Sequence, residues 1–266
     1  MPDKLLAGKR GVVTGVANDR SIAWGCAKAC AEHGASLAFS FLGEAQEKRV
    51  KALLKELPDA LCIPCDVTKD EEIAAFFAEI ESEWGQIDFL IHSVAYADRD
   101  DLKGRYIDTP RDHFALALDI SAYSLVALAK GAEDLFPDTG GSIVAMTYYG
   151  AEKVMPKYNV MGVAKAALEA SARYLANDLG PKNIRVNCIS AGPVRTLSSA
   201  AFPGFRNMLR VTEAMSPLRR NITQEDVGKT AVYLLSDLSS GVTGEVIHVD
   251  SGYNLLGMFA DAEAGS

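Results

Sequence analysis

The sequence predicts one doubly wound α/β domain on a parallel sheet, spanning residues 1–266. Three observations predict it. Short runs rich in Val, Ile, Leu and Ala recur from end to end, too continuously apolar for a sheet with one wet face. Longer stretches of helical pattern lie between them, so each connection crosses over the sheet and neighbouring strands run parallel. No linker rich in Pro, Gly or Ser, no internal repeat and no low-complexity segment divides the chain.

Residues 10–14 form the first strand, ended by Gly15; a helix opens at Ser21 and runs to His33, where Gly34 stops it. Residues 36–42 are the second strand, and residues 44–57 a helix closed by Pro58. The third strand covers 60–65. Thr68 is placed to cap the next helix, which runs to Trp84 and stops at Gly85, with Glu71 completing a capping box. The fourth strand, 87–92, leads through a loop rich in Asp and Gly to a helix over 112–135, ended by Pro137. Strand 141–147, helix 158–179, strand 184–189, helix 224–235 and strand 245–249 complete the alternation. Residues 260–266, small and polar, read as a frayed tail.

Composition narrows the function. A chain of 266 residues hides roughly three-quarters of its unfolded surface, so it needs no disulfide or metal to hold together. At 48% hydrophobic and 23% charged it belongs with globular proteins, not disordered ones. A net charge of −8 argues against nucleic acid, whose binders need a basic face, and against an anionic membrane. The first ten residues lack the apolar core of an export signal, and the longest apolar runs are of strand length, short of the roughly 20 residues of a membrane helix. Cys62 and Cys65 form a single C-x-x-C with no second pair for a zinc site, and they close a strand instead of opening a helix. The expectation is a cytoplasmic protein with reduced, buried cysteines and no metal.

In such a sheet, ligands bind outside the carboxyl ends of the strands, beside the first. In the turn from Thr14 to Gly25, Gly15 lets the chain reverse tightly. Ser21 and Ile22 offer backbone N–H groups at a helix start, where the dipole favours a pyrophosphate, and Gly25 lets that helix lie close to the sheet. The G-x-G-x-x-G spacing is absent, so the turn alone is also compatible with an ordinary strand-turn-helix corner. Asp66 and Val67 follow the third strand, placed for an adenine edge; Ser93, Val94 and Ala95 follow the fourth, small where backbone must approach a ribose. His92 reads as a packed, hydrogen-bonded histidine. Leu42 ends the second strand without the acid that grips ribose hydroxyls or the arginine that accepts a 2′-phosphate, and Lys48 and Arg49 lie further along. The balance favours NADH over NADPH.

Tyr158 and Lys165 are seven residues apart, two helical turns and therefore one face. A lysine near a phenol favours its ionised or strongly hydrogen-bonding form and can also hold ribose hydroxyls. The same spacing also occurs on solvated helix faces; its place after the fifth strand points it at a nicotinamide.

These motifs resemble the short-chain dehydrogenase/reductase superfamily over nearly the whole chain, and within it the NADH-dependent enoyl-acyl-carrier-protein reductases of type II fatty acid synthesis. The resemblance rests on T-G-x6-S-I-A-x-G from Thr14 to Gly25, and on Tyr-x6-Lys with Gly162 where the shorter Tyr-x3-Lys spacing puts its lysine. It rests also on Tyr148, ten residues before Tyr158, and on the segment Ala191-Gly192-Pro193-Val194-Arg195-Thr196-Leu197. It implies a Rossmann-like homotetramer in which NADH delivers hydride to the β-carbon of a trans-2-enoyl thioester. Tyr158 would stabilise the enolate oxygen, Lys165 would hold the nicotinamide ribose, and Tyr148 would line the acyl site and help proton delivery. Cofactor contacts are implied for Gly15, Ser21, Ile22, Leu42, Asp66, Val67, Val94 and Lys165, and for the wrapping segment Val194, Arg195, Thr196, Leu197 and Ser198. Substrate contacts are implied for Ala97, Tyr148, Tyr158, Met161 and Phe205. Leu42 departs from the polar residue that the family commonly sets beside the adenine.

Residues 195–220 carry five arginines (Arg195, Arg206, Arg210, Arg219, Arg220) against one acid, Glu213, a local +4 in a chain of −8. Phe202, Phe205, Met208 and Met215 lie among them. One account is a surface helix with solvated arginines. The other is a lid whose apolar residues cover an acyl chain while its arginines meet an acidic carrier protein. A conventional hydroxy/keto dehydrogenase would carry a serine on the strand before the tyrosine and a lysine four residues after it; this chain has Ala145-Met146-Thr147 and Gly162. A non-catalytic dinucleotide sensor would have lost Tyr158 or Lys165. The apolar run 246–259 is a candidate subunit interface.

Overall fold

The computed structural model describes residues 4–196 and 204–257. Seven strands form one sheet: β1 (Arg10–Val13), β2 (Ser36–Phe41), β3 (Leu61–Pro64), β4 (Phe89–His92), β5 (Gly141–Thr147), β6 (Ile184–Ala191) and β7 (Val246–Val249). Their spatial order is β3-β2-β1-β4-β5-β6-β7, every neighbour parallel. The near-continuous apolar runs have a direct cause, since both faces are covered. Val13, Phe39, Phe89 and Val144 enter one core layer, while Val12, Ala38, Leu90 and Ile143 enter the other. All eight are fully buried, and each large side chain so removed from water contributes about 1.5–3 kcal/mol.

The helices are α1 (Ile22–Glu32), α2 (Gly43–Leu53), α3 (Asp70–Trp84), α4 (Arg111–Leu118), α5 (Ser124–Ala132), α6 (Val160–Leu179), α7 (Phe205–Met215) and α8 (Gln224–Leu235). Gly25 works between helices and not against the sheet as expected. A β-carbon on Gly25 would stand 2.5 Å from Gln224 Cβ, and one on Gly228 would stand 2.8 Å from Gly25 O, so the glycines bring α1 and α8 into contact. The capping box expected at Thr68 and Glu71 does not form. Lys69 is the cap position of α3, while Thr68 donates its hydroxyl to Asp66 Oδ1 and Glu72 accepts from the Asp66 N–H. A capping box does form at Thr223 and Asp226, ahead of α8.

The helix expected over 112–135 is a composite of α4, a π-turn at Asp119–Tyr123, α5 and a 3-10 turn at Glu133–Leu135. By length and composition alone, residues 111–135 match a membrane span, although no single apolar run within them exceeds strand length. In the fold Leu125, Leu128, Ala129 and Ala132 of this helix are fully buried in the core layer they share with Phe76 and Leu90. β6 runs two residues past its expected end because Ser190 and Ala191 pair with His248 and Val249 of β7. Residues 260–266 lie outside the described residues.

Candidate active site

The strand order reverses beside β1, where the Thr14 N–H donates to Ile91 O of β4 at 2.9 Å. Gly15 turns the chain there at a φ of 84°. A β-carbon on it would stand 2.2 Å from Ser93 O and 2.9 Å from Val94 N, so both conformation and space demand glycine. Ser21 shapes the loop that follows. Its Oγ accepts from the N–H groups of Ala17 and Asn18 at 2.9 Å each and donates to Asn18 O at 2.8 Å. Its own N–H is also bonded to Asn18 O. Ser21 therefore builds the turn and does not offer the N–H group expected of it, whereas Ile22 heads α1.

Leu42 caps α2 and is 58% exposed. Its N–H donates to Gln46 Oε1 at 2.8 Å, and Gln46 Nε2 donates to Val16 O at 2.8 Å, so Gln46 ties the end of β2 to the glycine turn. Gln46 was not singled out in the sequence; its one signal is its spacing, a helical turn beyond Leu42. Lys48 lies 3.9 Å from Glu44, and Arg49 donates to Ala45 O, so both are engaged on their own helix. After β3, Asp66 accepts from Thr68 N–H and Oγ at 3.0 and 2.7 Å. Burial opposes its ionisation, but the Thr68 bonds and the Lys69 charge together hold its carboxyl below the ordinary value. Val67 packs half-buried against the core.

Beyond β5 the rings of Tyr148 and Tyr158 meet edge-on, centroids 4.9 Å apart at 72°. Gly150 makes room for this, since a β-carbon there would stand 2.4 Å from Tyr158 Cδ1. Tyr158 is not on the helix as expected. It lies in the turn before α6, its N–H donating to Met155 O and its carbonyl accepting from Met161 N–H, both at 3.0 Å. Lys165, on α6, is 5% exposed and donates from Nζ to Met146 O at 2.7 Å. Burial pulls its amine down to about 8, against smaller opposing effects of Cys188 and Glu169.

Burial pushes the Tyr158 hydroxyl above its ordinary value, and Tyr148 and Glu169 add to the shift. Of the two forms a nearby lysine was expected to favour, desolvation disfavours the ionised phenol and leaves the hydrogen-bonding one. Tyr158 is a neutral hydrogen-bond donor. Tyr148 is pushed up by burial too, then by Tyr253 and Asp250. Glu169, whose charge acts on Tyr158, is 7% exposed and accepts from Thr147 Oγ at 2.7 Å. Its signal in the sequence was an acid four residues beyond Lys165 on a face that is otherwise apolar.

Ser121, in the π-turn, accepts from Tyr96 N–H at 2.9 Å and donates to Tyr96 O at 3.0 Å, fixing the turn that carries Ala97. Met161, 6% exposed, places its sulfur 3.9 Å from Ser121 Oγ. His92 is fully buried, 2.8 Å from Ser124 Oγ, and burial together with the Lys165 charge pulls its imidazole down to about 3. It is the packed, hydrogen-bonded histidine expected. Burial pushes the thiols of Cys26, Cys65 and Cys188 up to about 12, far from thiolate reactivity.

Val194 is buried and Thr196 half-buried, while Arg195 is exposed; Leu197, Ser198 and Phe202 lie outside the described residues. On α7, Phe205 is half-buried, Leu209 and Thr212 are buried, and the Tyr148 hydroxyl lies 3.6 Å from Met208 Sδ. Helix α7 therefore covers Tyr148. The arginines of residues 195–220 divide. Arg206 and Arg210 are exposed, Arg219 donates back to Ala214 O, and Arg220 grips Asp226 through bonds of 2.7 and 3.0 Å. Arg220 thereby leaves the basic surface expected of residues 195–220.

A parallel sheet with this strand order, a glycine turn at its switch point, and a tyrosine and buried lysine after β5 define a short-chain dehydrogenase/reductase. The profile of the family described as Enoyl-(Acyl carrier protein) reductase matches residues 15–254. The NADH-dependent enoyl-acyl-carrier-protein reductase 1 of Rhizobium meliloti (strain 1021) is 58% identical over 256 residues, covering 96% of this chain and 94% of that one. The NADH-dependent enoyl-acyl-carrier-protein reductase FabI of Rickettsia bellii (strain RML369-C) is 56% identical over 257 residues, covering 97% and 98%. The crystal structure of the Bacillus cereus enoyl-acyl-carrier-protein reductase with NADP+ and indole naphthyridinone superposes with a TM-score of 0.94 at 55% identity, covering 96% and 99%. That of the Anaplasma phagocytophilum reductase with NAD superposes at 0.93 and 52% identity, covering 97% and 98%. The chain belongs to the enoyl-acyl-carrier-protein reductase family.

Proposed function

We infer that this chain reduces the trans-2 double bond of enoyl thioesters carried on acyl carrier protein, using NADH, in fatty acid elongation. The observation that carries this is the Tyr158 ring set edge-on to Tyr148 beyond β5, with a buried lysine, Lys165, on the helix that follows. The site fits a dinucleotide, since Gly15 leaves no room for a side chain and a buried lysine stands ready for ribose hydroxyls. Gly15, Ile22, Leu42, Asp66, Val67, Val94 and Val194 are the contacts proposed for it, with Ser21 shaping the turn. Lys48 and Arg49 are both engaged on α2, which supports NADH over NADPH.

When bound, NADH supplies the hydride for the substrate β-carbon. As that carbon is reduced, negative charge develops on the thioester oxygen, and the Tyr158 O–H donates to it. Removing one such oxyanion donor typically costs about 100–1,000-fold in kcat. Lys165 holds the ribose and sustains a positive potential near that oxygen. Tyr148 lines the acyl site and takes part in proton delivery; Ala97, Met161 and Phe205 contact the acyl chain.

Residues 1–266 act as one catalytic domain, with 195–220 as its lid and Arg206 and Arg210 facing an acidic carrier protein. The described cysteines are free and four are buried, which suits a reducing compartment, and we place the enzyme in the cytoplasm. A homotetramer is proposed, with the half-buried edge strand β7 and the 75% exposed Leu255 beyond it as interface. The test offers NADH with a short trans-2-enoyl thioester and, separately, with a 3-ketoacyl thioester. Oxidation of NADH by the enoyl substrate alone is expected. Oxidation by the ketoacyl substrate alone would make the protein a hydroxy/keto dehydrogenase, and oxidation by neither a dinucleotide sensor.

A further inference from the structure

We propose that Asn159 is the positioning residue that sets the aim of Tyr158, by tying it to the loop that begins at the Tyr96–Ala97 turn. The inference rests on the oxyanion role given to Tyr158 above. Tyr158 has no helix to hold it, because α6 starts two residues later. Its two neighbours both take positive φ without being glycine: Lys157 at 67° and Asn159 at 44°. With ψ at −122°, Asn159 lies outside even the left-handed helical region that asparagine tolerates. A residue in such a conformation costs about 1–3 kcal/mol and persists only where its surroundings over-determine it.

The surroundings do so here. Asn159 Nδ2 donates to Asp101 O at 2.6 Å and to Gly104 O at 3.1 Å. Two carbonyl partners can be met only by the amide nitrogen, so the side chain has one usable orientation. Asp101 is in turn anchored, buried with its carboxylate 3.0 Å from His113 Nδ1 of α4. The Asn159 carbonyl accepts from Gly162 N–H at 3.0 Å, which locks the other side of the residue onto the first turn of α6. Rotating the peptide between Tyr158 and Asn159 therefore means releasing the 101–104 loop and the helix start together. Order in the loop past Ala97 is transmitted to the phenol through one side-chain amide.

The experiment uses the full chain with NADH and a short trans-2-enoyl coenzyme A thioester. Asn159→Gly accepts the backbone conformation without strain, so it folds while losing both clamps. Asn159→Asp keeps the shape but turns an acceptor toward two carbonyls. Each is made alone and in a Tyr158→Phe background, with kcat and NADH affinity measured throughout. Expected for both variants is a fall in kcat of at least about tenfold with NADH affinity unchanged. In the Tyr158→Phe background that fall shrinks to below about twofold, because Asn159 acts through Tyr158. An unchanged kcat, or an equal fall in both backgrounds, overturns the proposal while leaving the role of Tyr158 standing. Wild-type turnover in Tyr158→Phe alone removes that role itself, and the inference with it.

Discussion

Gly162 faces the carbonyl of Gly150 so closely that a β-carbon on it would lie 2.7 Å from that oxygen. This contact explains why no lysine stands four residues after the tyrosine. The start of α6 presses against the 149–151 turn, which in turn holds the Tyr148 and Tyr158 rings. Any side chain at 162 would push these apart, and lysine has no space there. Gly162→Ala is expected to destabilise by about 1–3 kcal/mol through overpacking. It is also expected to reduce turnover more than NADH binding. Urea unfolding and steady-state kinetics check both; wild-type turnover in a destabilised variant would separate the packing from the chemistry.

Lys165 gives the site a pH signature. Its amine is pulled from 10.5 to about 8 by burial. Between these values the unfolded chain binds more protons than the folded one, so stability rises with pH across that window. The wild type is expected to gain stability from pH 8 toward 10.5, and Lys165→Met to lose most of that gain, seen in urea midpoints across the window. With the ammonium gone the ribose loses its partner, so kcat/KM for NADH is expected to fall above about pH 8 in the wild type.

Thr147 and Glu169 form a buried pair whose members respond oppositely to substitution. Burial raises the Glu169 carboxyl, with Glu152 adding to the shift and Thr147, Arg173 and His248 opposing it. A raised folded value means that stability falls as pH climbs from 4.5 through that value. Glu169→Gln is expected to remove this loss and be the more stable at neutral pH. Thr147→Val strips a donor from a buried carboxylate and is expected to cost about 1–3 kcal/mol. Chemical denaturation at pH 5 and pH 7 distinguishes the two signs.

Arg206 and Arg210 test the carrier-docking surface. Reversing both to glutamate is expected to lower kcat/KM at least about tenfold for carrier-bound substrate, and by less than about twofold for the coenzyme A thioester. The difference should shrink as salt is added. Equal losses on both substrates would leave the arginines as a solvated helix face.

Much of this protein was legible in its sequence for one physical reason. A strand buried on both faces must be apolar throughout, and crossovers between such strands admit only a parallel sheet. The glycine turn could be named from its place after the first strand, whereas Tyr148, Tyr158 and Lys165 were singled out chiefly by their resemblance to the reductase family; their helical spacing was no guide, since Tyr158 lies before α6. What the chain by itself left open was whatever depends on partners distant in sequence. That Gly25 serves α8 is decided by a neighbour about 200 residues away. That Gln46 bridges Leu42 to Val16, and that Arg220 pairs with Asp226, follows from where elements pack and from no pattern along them. The protonation of the site depends on the same distant packing. A lysine seven residues from a tyrosine suggests an ionised or strongly hydrogen-bonding phenol; burial, which exists only in three dimensions, disfavours the ionised form and lowers the lysine amine as well.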